Sequence, residues 1–239
     1  GSLAWVAREC RPDIAYRTSR LQSRCAKAQV QDLKECNKVV DYILESSSTG
    51  LVFKPKCIDW SDPVLVTITD ASFANEEDIV NDKLVPHRSQ RGRLHFLCGR
   101  QMAEGAETSP AHLLGFGSTL IKRVCRATLQ AETYALQHGV EEGYRLRAIL
   151  AEVSGRAHAD HETFCPHLWL SDCRSLVDHL KVDAVSKVQD KRLSIEMESL
   201  RQSLESPFEQ LRWIDTSVML ADALTKSMKP DVLLGVLQA

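Results

Sequence analysis

Three acidic residues stand where carboxylates could be put to chemical use. A strand pattern over Val64 to Asp70 alternates faces, so Val64, Val66, Ile68 and Asp70 point the same way. An acid is thereby placed in register with three apolar residues at the strand's carboxyl end. Leu168, Leu170 and Asp172 repeat the arrangement on a later strand that carries Trp169. Between the two, a helical stripe over Thr128 to Val153 puts Glu132, Leu136, Val140 and Gly143 on one face, with Glu132 expected in the first turn. Ligands of open α/β sheets gather beyond the carboxyl ends of strands. Taken singly, Asp70 and Asp172 read as ordinary strand ends and Glu132 as an ordinary helix start. In phase on three suitable elements, they define a candidate site.

The chemistry follows from the residue type. An inward-facing carboxylate needs a partner, because an uncompensated buried charge is strongly unfavourable. No Lys or Arg is in phase with all three acids, so a divalent cation is the expected partner. Oxygen-only ligands favour Mg²⁺ or Mn²⁺ over Zn²⁺. Two such ions roughly 3.5–4 Å apart activate a water and stabilise the leaving oxygen of an in-line phosphoryl displacement. Other groupings carry less. His158, His161, Cys165 and His167 have irregular spacing, without the tight pairing of structural zinc sites. Ser171 and Ser175 beside His179 lack a nucleophile elbow. Trp5, Trp60, Trp169 and Trp213 read as core or junction residues rather than base-stacking platforms.

The elements that must position these acids are legible in outline. The first fifty residues read as helical, with Arg11-Pro12-Asp13 able to start a helix and Leu33, Val40, Ile43 and Leu44 forming one face. Lys54-Pro55 and Asp62-Pro63 bracket a junction near residues 55–62. From Val64 the order is three strands, a helix, a strand, helices, a strand and a helix. The strands are expected over Val64–Asp70, Leu94–Met102, Leu113–Arg123, a segment ending at Asp172, and Leu211–Ile214. Helices are expected over Ser175–Lys181, roughly Ser186–Leu204, and Val218–Lys226. The polar stretch Asn75–Gln90 reads as a mobile loop. Such an order makes an α/β layered sheet. Gly139 and Gly143 each cost about 1 kcal/mol of helix propensity relative to Ala, which suggests a close approach of the long helix to the sheet.

Composition sets the outer bounds. With 44% hydrophobic and 26% charged residues, the 239-residue chain can bury a real core. It contains no run of about 18 apolar residues, the length needed to span a membrane as a helix. Eight cysteines without paired spacing argue against a disulfide framework, and for reduced thiols in an intracellular setting. A net charge of −2 argues against a generally basic nucleic-acid binder, so clustering of basic residues becomes the question. Arg88, Arg91, Arg93 and Arg100 form one cluster, Lys122, Arg123 and Arg126 a second, and Lys181, Lys187, Lys191 and Arg192 a third. The chain does not open on Met and reads as a piece of something longer.

At the candidate acids the sequence resembles a known family, the ribonuclease H domain of copia-type retrotransposon Pol polyproteins. Thr69-Asp70-Ala71-Ser72-Phe73-Ala74 is similar to that domain's opening motif, Ala131-Glu132-Thr133-Tyr134-Ala135-Leu136 to its helix motif, and Ser171-Asp172-Cys173-Arg174-Ser175 to its strand-end motif. Leu220-Ala221-Asp222-Ala223-Leu224-Thr225-Lys226 resembles its ending, and Ser89-Gln90-Arg91-Gly92 sits where the family has a short motif before its second strand. Upstream, Arg11-Pro12-Asp13-Ile14-Ala15-Tyr16 matches the region after the reverse-transcriptase active site. Six motifs occur in the family's order.

The resemblance implies a ribonuclease H-like mixed five-stranded sheet flanked by helices, preceded by a small mainly helical segment. It assigns residues 1–58 to a remnant of the reverse-transcriptase thumb or connection region, 59–230 to the ribonuclease H-like domain and 231–239 to a tail. It implies hydrolysis of the RNA strand of RNA–DNA hybrids by two Mg²⁺ ions, for which Mn²⁺ can substitute. Asp70 would bridge both ions, with Glu132 and Asp172 completing one site and Asp222 the other. Asp222 enters by resemblance alone, since it lies off the helical face shared by Leu220 and Leu224. Arg91, Lys122, Arg123, Arg126, Lys191 and Arg192 become candidate contacts to hybrid phosphates. The implied partners are the hybrid and the rest of the reverse transcriptase, in a cytoplasmic virus-like particle or the nucleus. The chain also departs from the family. Arg192 and Ser194 replace a His and an acid, and a Trp is missing around Phe116-Gly117. A catalytically inactive hybrid-binding module of a degenerate element is the alternative these departures leave open.

Overall fold

The computed structural model describes residues 1–81, 83–181 and 190–238. Three helices come first: α1 (Ser2–Glu9), α2 (Ala15–Arg24) and α3 (Val30–Glu45). Strands β1 (Pro63–Val80), β2 (Lys83–Gly99) and β3 (Ala111–Ile121) follow, then α4 (Thr128–Val153) and the single turn α5 (His161–Phe164). The chain continues through β4 (His167–Ser171), α6 (Arg174–Lys181), α7 (Lys191–Leu204), β5 (Glu209–Trp213) and α8 (Asp231–Gln238). The sheet order is β3-β2-β1-β4-β5, with β1, β2 and β3 antiparallel and β4 and β5 parallel to β1. This is the ribonuclease H-like mixed sheet that the motif order implied. The expected helix start at Ser186, and Lys187 with it, lie outside the described residues.

Alternation along the strands divides the core into two. Val64, Val66, Ile68, Leu94, Phe96, Leu168 and Leu170 face Met219, Ala221, Leu224 and Leu233. On the opposite face Trp169, Leu136, Val140, Met197 and Leu200 pack together. The expected glycine approach is present. A Cβ on Gly139 would stand 2.5 Å from the Thr69 methyl, and one on Gly143 would collide with the His167 ring.

The stretch expected as a loop is strand. β1 and β2 run on past the rest of the sheet as a two-stranded ribbon, with register shifts around Glu76 and left-handed backbone at Ala74, Asn81 and His87. Its polar composition hides a strand because α2, rather than an apolar layer, covers it. Tyr16 donates to Glu76 Oε1 at 2.5 Å, Arg20 lies 3.0 Å from Glu76 Oε2, and Arg24 lies 2.6 Å from Glu77. The α3 face also differs from expectation: Val39 is buried, whereas Leu33, Val40 and Leu44 are exposed. Of the tryptophans, Trp169 is core, but Trp5 and Trp60 are at least half exposed. Val218–Lys226 is not an α-helix; it forms two short 3₁₀ turns over Thr216–Val218 and Leu220–Leu224.

A buried ionic node ties α4 to β4 and β5. Arg147 and Glu209 are paired, with both side chains essentially inaccessible to water. Arg147 also donates to the Cys165 carbonyl at 2.6 Å, and Trp169 Nε1 donates to Glu209 Oε2 at 2.9 Å. Removing one partner strands the other charge in the interior, so Arg147→Met is expected to destabilise the fold by about 3–5 kcal/mol in denaturant unfolding. The double replacement Arg147→Met with Glu209→Leu should recover much of that loss.

Candidate metal centre

The site lies where the sheet opens. β1 pairs with β4 only over Leu65–Ile68, after which β1 continues beside β2 alone. Beyond Ile68 no strand among the described residues separates the two faces on that side. Asp70, next in phase after Ile68, points into this notch with 2% exposure, and Asp172 enters just past the end of β4. Glu132 comes from α4, on the opposite face, in the second helical turn rather than the expected first. Its Oε1 accepts from the Ala71 backbone N–H at 3.4 Å. One ligand atom from each of Asp70, Glu132 and Asp172 lies within 4.8 Å of the other two.

The electrostatics of this notch suit a hard cation. Burial, together with the neighbouring acids Asp222 and Asp172, pushes the Asp70 carboxyl up to about 6 against the pull of Lys226 and Thr225. Glu132 is raised well above the usual carboxylate range, by burial first and then by Asp70 and Asp172. Among the described residues its buried Oε2 has no hydrogen-bond partner. Asp172 is partly exposed and accepts from the Thr216 hydroxyl at 2.9 Å, so the notch opens to solvent on that side. Three convergent oxygen donors, with one buried oxygen unclaimed, fit a Mg²⁺- or Mn²⁺-type ion.

Asp222 lies outside this group of three but beside it. Its 3₁₀ backbone explains why α-helical phase misplaced it. Asp222 is mostly buried and hydrogen-bonded to Lys226 Nζ, which also lies 3.6 Å from Asp70 Oδ2. Thr225 donates to Asp70 Oδ2. In sequence Thr225 and Lys226 belong to a motif that assigns them no role, and their separation from Asp70 along the chain hides the contact. Gly92 was missed in the same way. It stands opposite Asp70 in the β1–β2 register, and a Cβ there would meet the Leu224 Cβ at 2.7 Å and the Thr225 methyl at 2.9 Å. The absent side chain lets the turn seat against β2. The turn is further held by Ser118, which donates to the Leu224 carbonyl at 2.5 Å, and by Gln90, which reaches both Ser118 and Ser19 of α2.

The basic candidates are partly assembled. Arg91, Lys122 and Arg123 line one depression of about 250 Å³ with Tyr134 and His138, and Arg123 and Arg192 share a neighbouring one. Arg123 lies 2.8 Å from Glu196 and over the Tyr134 ring. Arg126 and Lys191 are exposed near the start of α7, which Asp190 caps through the Arg192 and Leu193 amides. Where the family Trp is missing, the Arg93 guanidinium covers Gly117.

Two outcomes follow. Gly92→Ala pushes the turn off β2, with an expected loss of about 1–3 kcal/mol in thermal or denaturant unfolding and weakened Mn²⁺ binding by titration. Asp70, raised to about 6 when folded, binds more protons in the native than in the unfolded state between pH 4 and 6. Its contribution to metal-free stability is therefore favourable at low pH and lost as pH rises through that window. Asp70→Asn should raise the metal-free melting temperature at pH 7.5, by roughly 2–8 °C, and leave it nearly unchanged at pH 4.

No protein-family model matches the chain. Over 95% of its length it aligns at 21% identity with the truncated transposon Ty1-A Gag-Pol polyprotein of Saccharomyces cerevisiae and with the transposon Ty1-LR2 Gag-Pol polyprotein of the same yeast. The aligned segment spans 17% and 12% of those two polyproteins. Among solved structures, LC11-RNase H1 from compost superposes with a TM-score of 0.44 at 15% identity, covering 72% of this chain and 99% of that one. The chain thus has a ribonuclease H-like sheet topology and is similar, over nearly its whole length, to a segment of the Ty1 Gag-Pol polyproteins.

Proposed function

We propose that the chain hydrolyses phosphodiesters in the RNA strand of an RNA–DNA hybrid, as the ribonuclease H part of a retrotransposon reverse transcriptase. The observation that carries this reading is the convergence of Asp70, Glu132 and Asp172 from both faces of the sheet within 4.8 Å, around a buried carboxylate oxygen that no described residue satisfies. Divalent cations, Mg²⁺ or Mn²⁺, would supply charge neutralisation of the phosphate and acidify the attacking water. Asp70, Glu132 and Asp172 would hold the ion, and Asp222 stands beside them. No side chain need act as nucleophile. Arg91, Lys122, Arg123 and Arg192, in their adjoining depressions, are the proposed contacts to hybrid phosphates, which fix register without reading sequence. The rest of the reverse transcriptase is the proposed polypeptide partner, and a cytoplasmic virus-like particle the proposed setting.

The test is cleavage of end-labelled RNA–DNA hybrid in Mg²⁺ or Mn²⁺, beside a plain DNA duplex. Metal-dependent loss of the RNA strand alone is expected, with Asp70→Asn slower by roughly 100-fold or more, the scale of losing one pre-organised electrostatic contact. A folded protein that binds hybrid but leaves both strands intact would instead identify the inactive hybrid-binding module. Arg123→Ala should weaken hybrid binding and reduce the salt slope of log K by roughly one.

A further inference from the structure

The sequence offers no cation in phase with all three acids, yet the fold brings one to their edge. Lys226 Nζ stands 3.6 Å from Asp70 Oδ2 and is hydrogen-bonded to Asp222 Oδ1. The two carboxylates are 2% and 13% exposed and the lysine 41%, so the ammonium closes the space between them from the solvent side. Its backbone is fixed. The Lys226 amide bonds the Asp222 carbonyl at 3.0 Å, and the preceding turn is seated on Gly92 and Ser118. On the other side of Asp70 the situation is reversed. Among the described residues the buried Glu132 Oε2 has no hydrogen-bond partner, and the Asp172 carboxylate accepts from the Thr216 hydroxyl. The four acids thus divide around Asp70 into one half that the Lys226 ammonium touches directly and one half that it influences only from a distance.

We propose that Lys226 is a tethered cation filling the position between Asp70 and Asp222. The free chain then takes one divalent ion, at Asp70, Glu132 and Asp172, and a second only when the ammonium is displaced. This rests on reading the three carboxylates as a divalent-cation site. An ammonium and a divalent ion repel each other strongly at such separations, so the two cannot share the Asp222 side. The lysine's flexible stem and partial exposure let the ammonium leave for another anion, such as a backbone phosphate of bound nucleic acid. Lys226 is in this sense a positioning residue that sets how many ions the site holds.

Mn²⁺ titration of the whole chain, followed by the electron paramagnetic resonance of the unbound ion, tests this without any turnover. Wild type is expected to bind one ion per chain and Lys226→Met two, the second at least roughly tenfold tighter than in wild type. Lys226→Arg, which keeps the charge, should stay at one. Circular dichroism checks that each variant is folded. Two tight ions in wild type would overturn the proposal while leaving the metal-site reading intact, and that comparison needs no variant. A folded Lys226→Met that still binds one ion would overturn it equally. If neither wild type nor the variants bind any ion, both readings fall together.

Discussion

Like charges confined in a water-poor notch are the constraint to which the rest of this structure answers. Asp70 and Glu132 are buried within reach of each other and of Asp172, and each is driven toward its protonated form by burial first and by neighbouring acids second. Holding them there requires rigid elements on three sides. β1 fixes Asp70 through its pairing with β2, the end of β4 fixes Asp172, and α4 is brought against the sheet by Gly139 and Gly143. Repulsion that a flexible loop would relieve by moving is instead retained, and so remains available to attract a cation.

The same molecule contains a buried carboxylate handled in the opposite way. Glu209 is surrounded by Arg147, the Trp169 indole N–H and, at 3.2 Å, His167 Nδ1. His167 is in turn hydrogen-bonded to Thr67, which also meets His95. Partnered in this way, Glu209 knits α4, β4 and β5 together and offers nothing to a ligand. Glu132, one helix face away, has one weak amide bond and one unclaimed oxygen. Glu209 and Glu132 thus differ in the completeness of their hydrogen bonding rather than in their depth.

Much of this was legible in sequence because it depends on short periods. Alternation placed Asp70 and Asp172, and the span of α4 matched its hydrophobic stripe. What stayed hidden shares a different physical character. The β1–β2 ribbon is stabilised by ion pairs with α2, which leave no apolar alternation to detect. Asp222 sits in a 3₁₀ turn, where α-helical phase misleads. Glu132 reaches the site around the open side of β1, although strand phase alone would set its helix on the wrong face. Gly92, Thr225 and Lys226 matter through contacts with residues far away along the chain, and no local pattern reports such contacts.

That last feature has a kinetic consequence. The Thr225–Asp70 hydrogen bond joins residues 155 positions apart, and Ser118 reaches Leu224 across 106. The β1–β2–β3 meander and α4 are built from near neighbours and can form early, whereas closing the longest loops carries the largest entropic cost. Substitutions in the 220–226 turn should therefore act mainly by speeding unfolding rather than by slowing folding. In that order of events the sheet that carries Asp70 and Asp172 forms before Asp222, Thr225 and Lys226 are seated beside it.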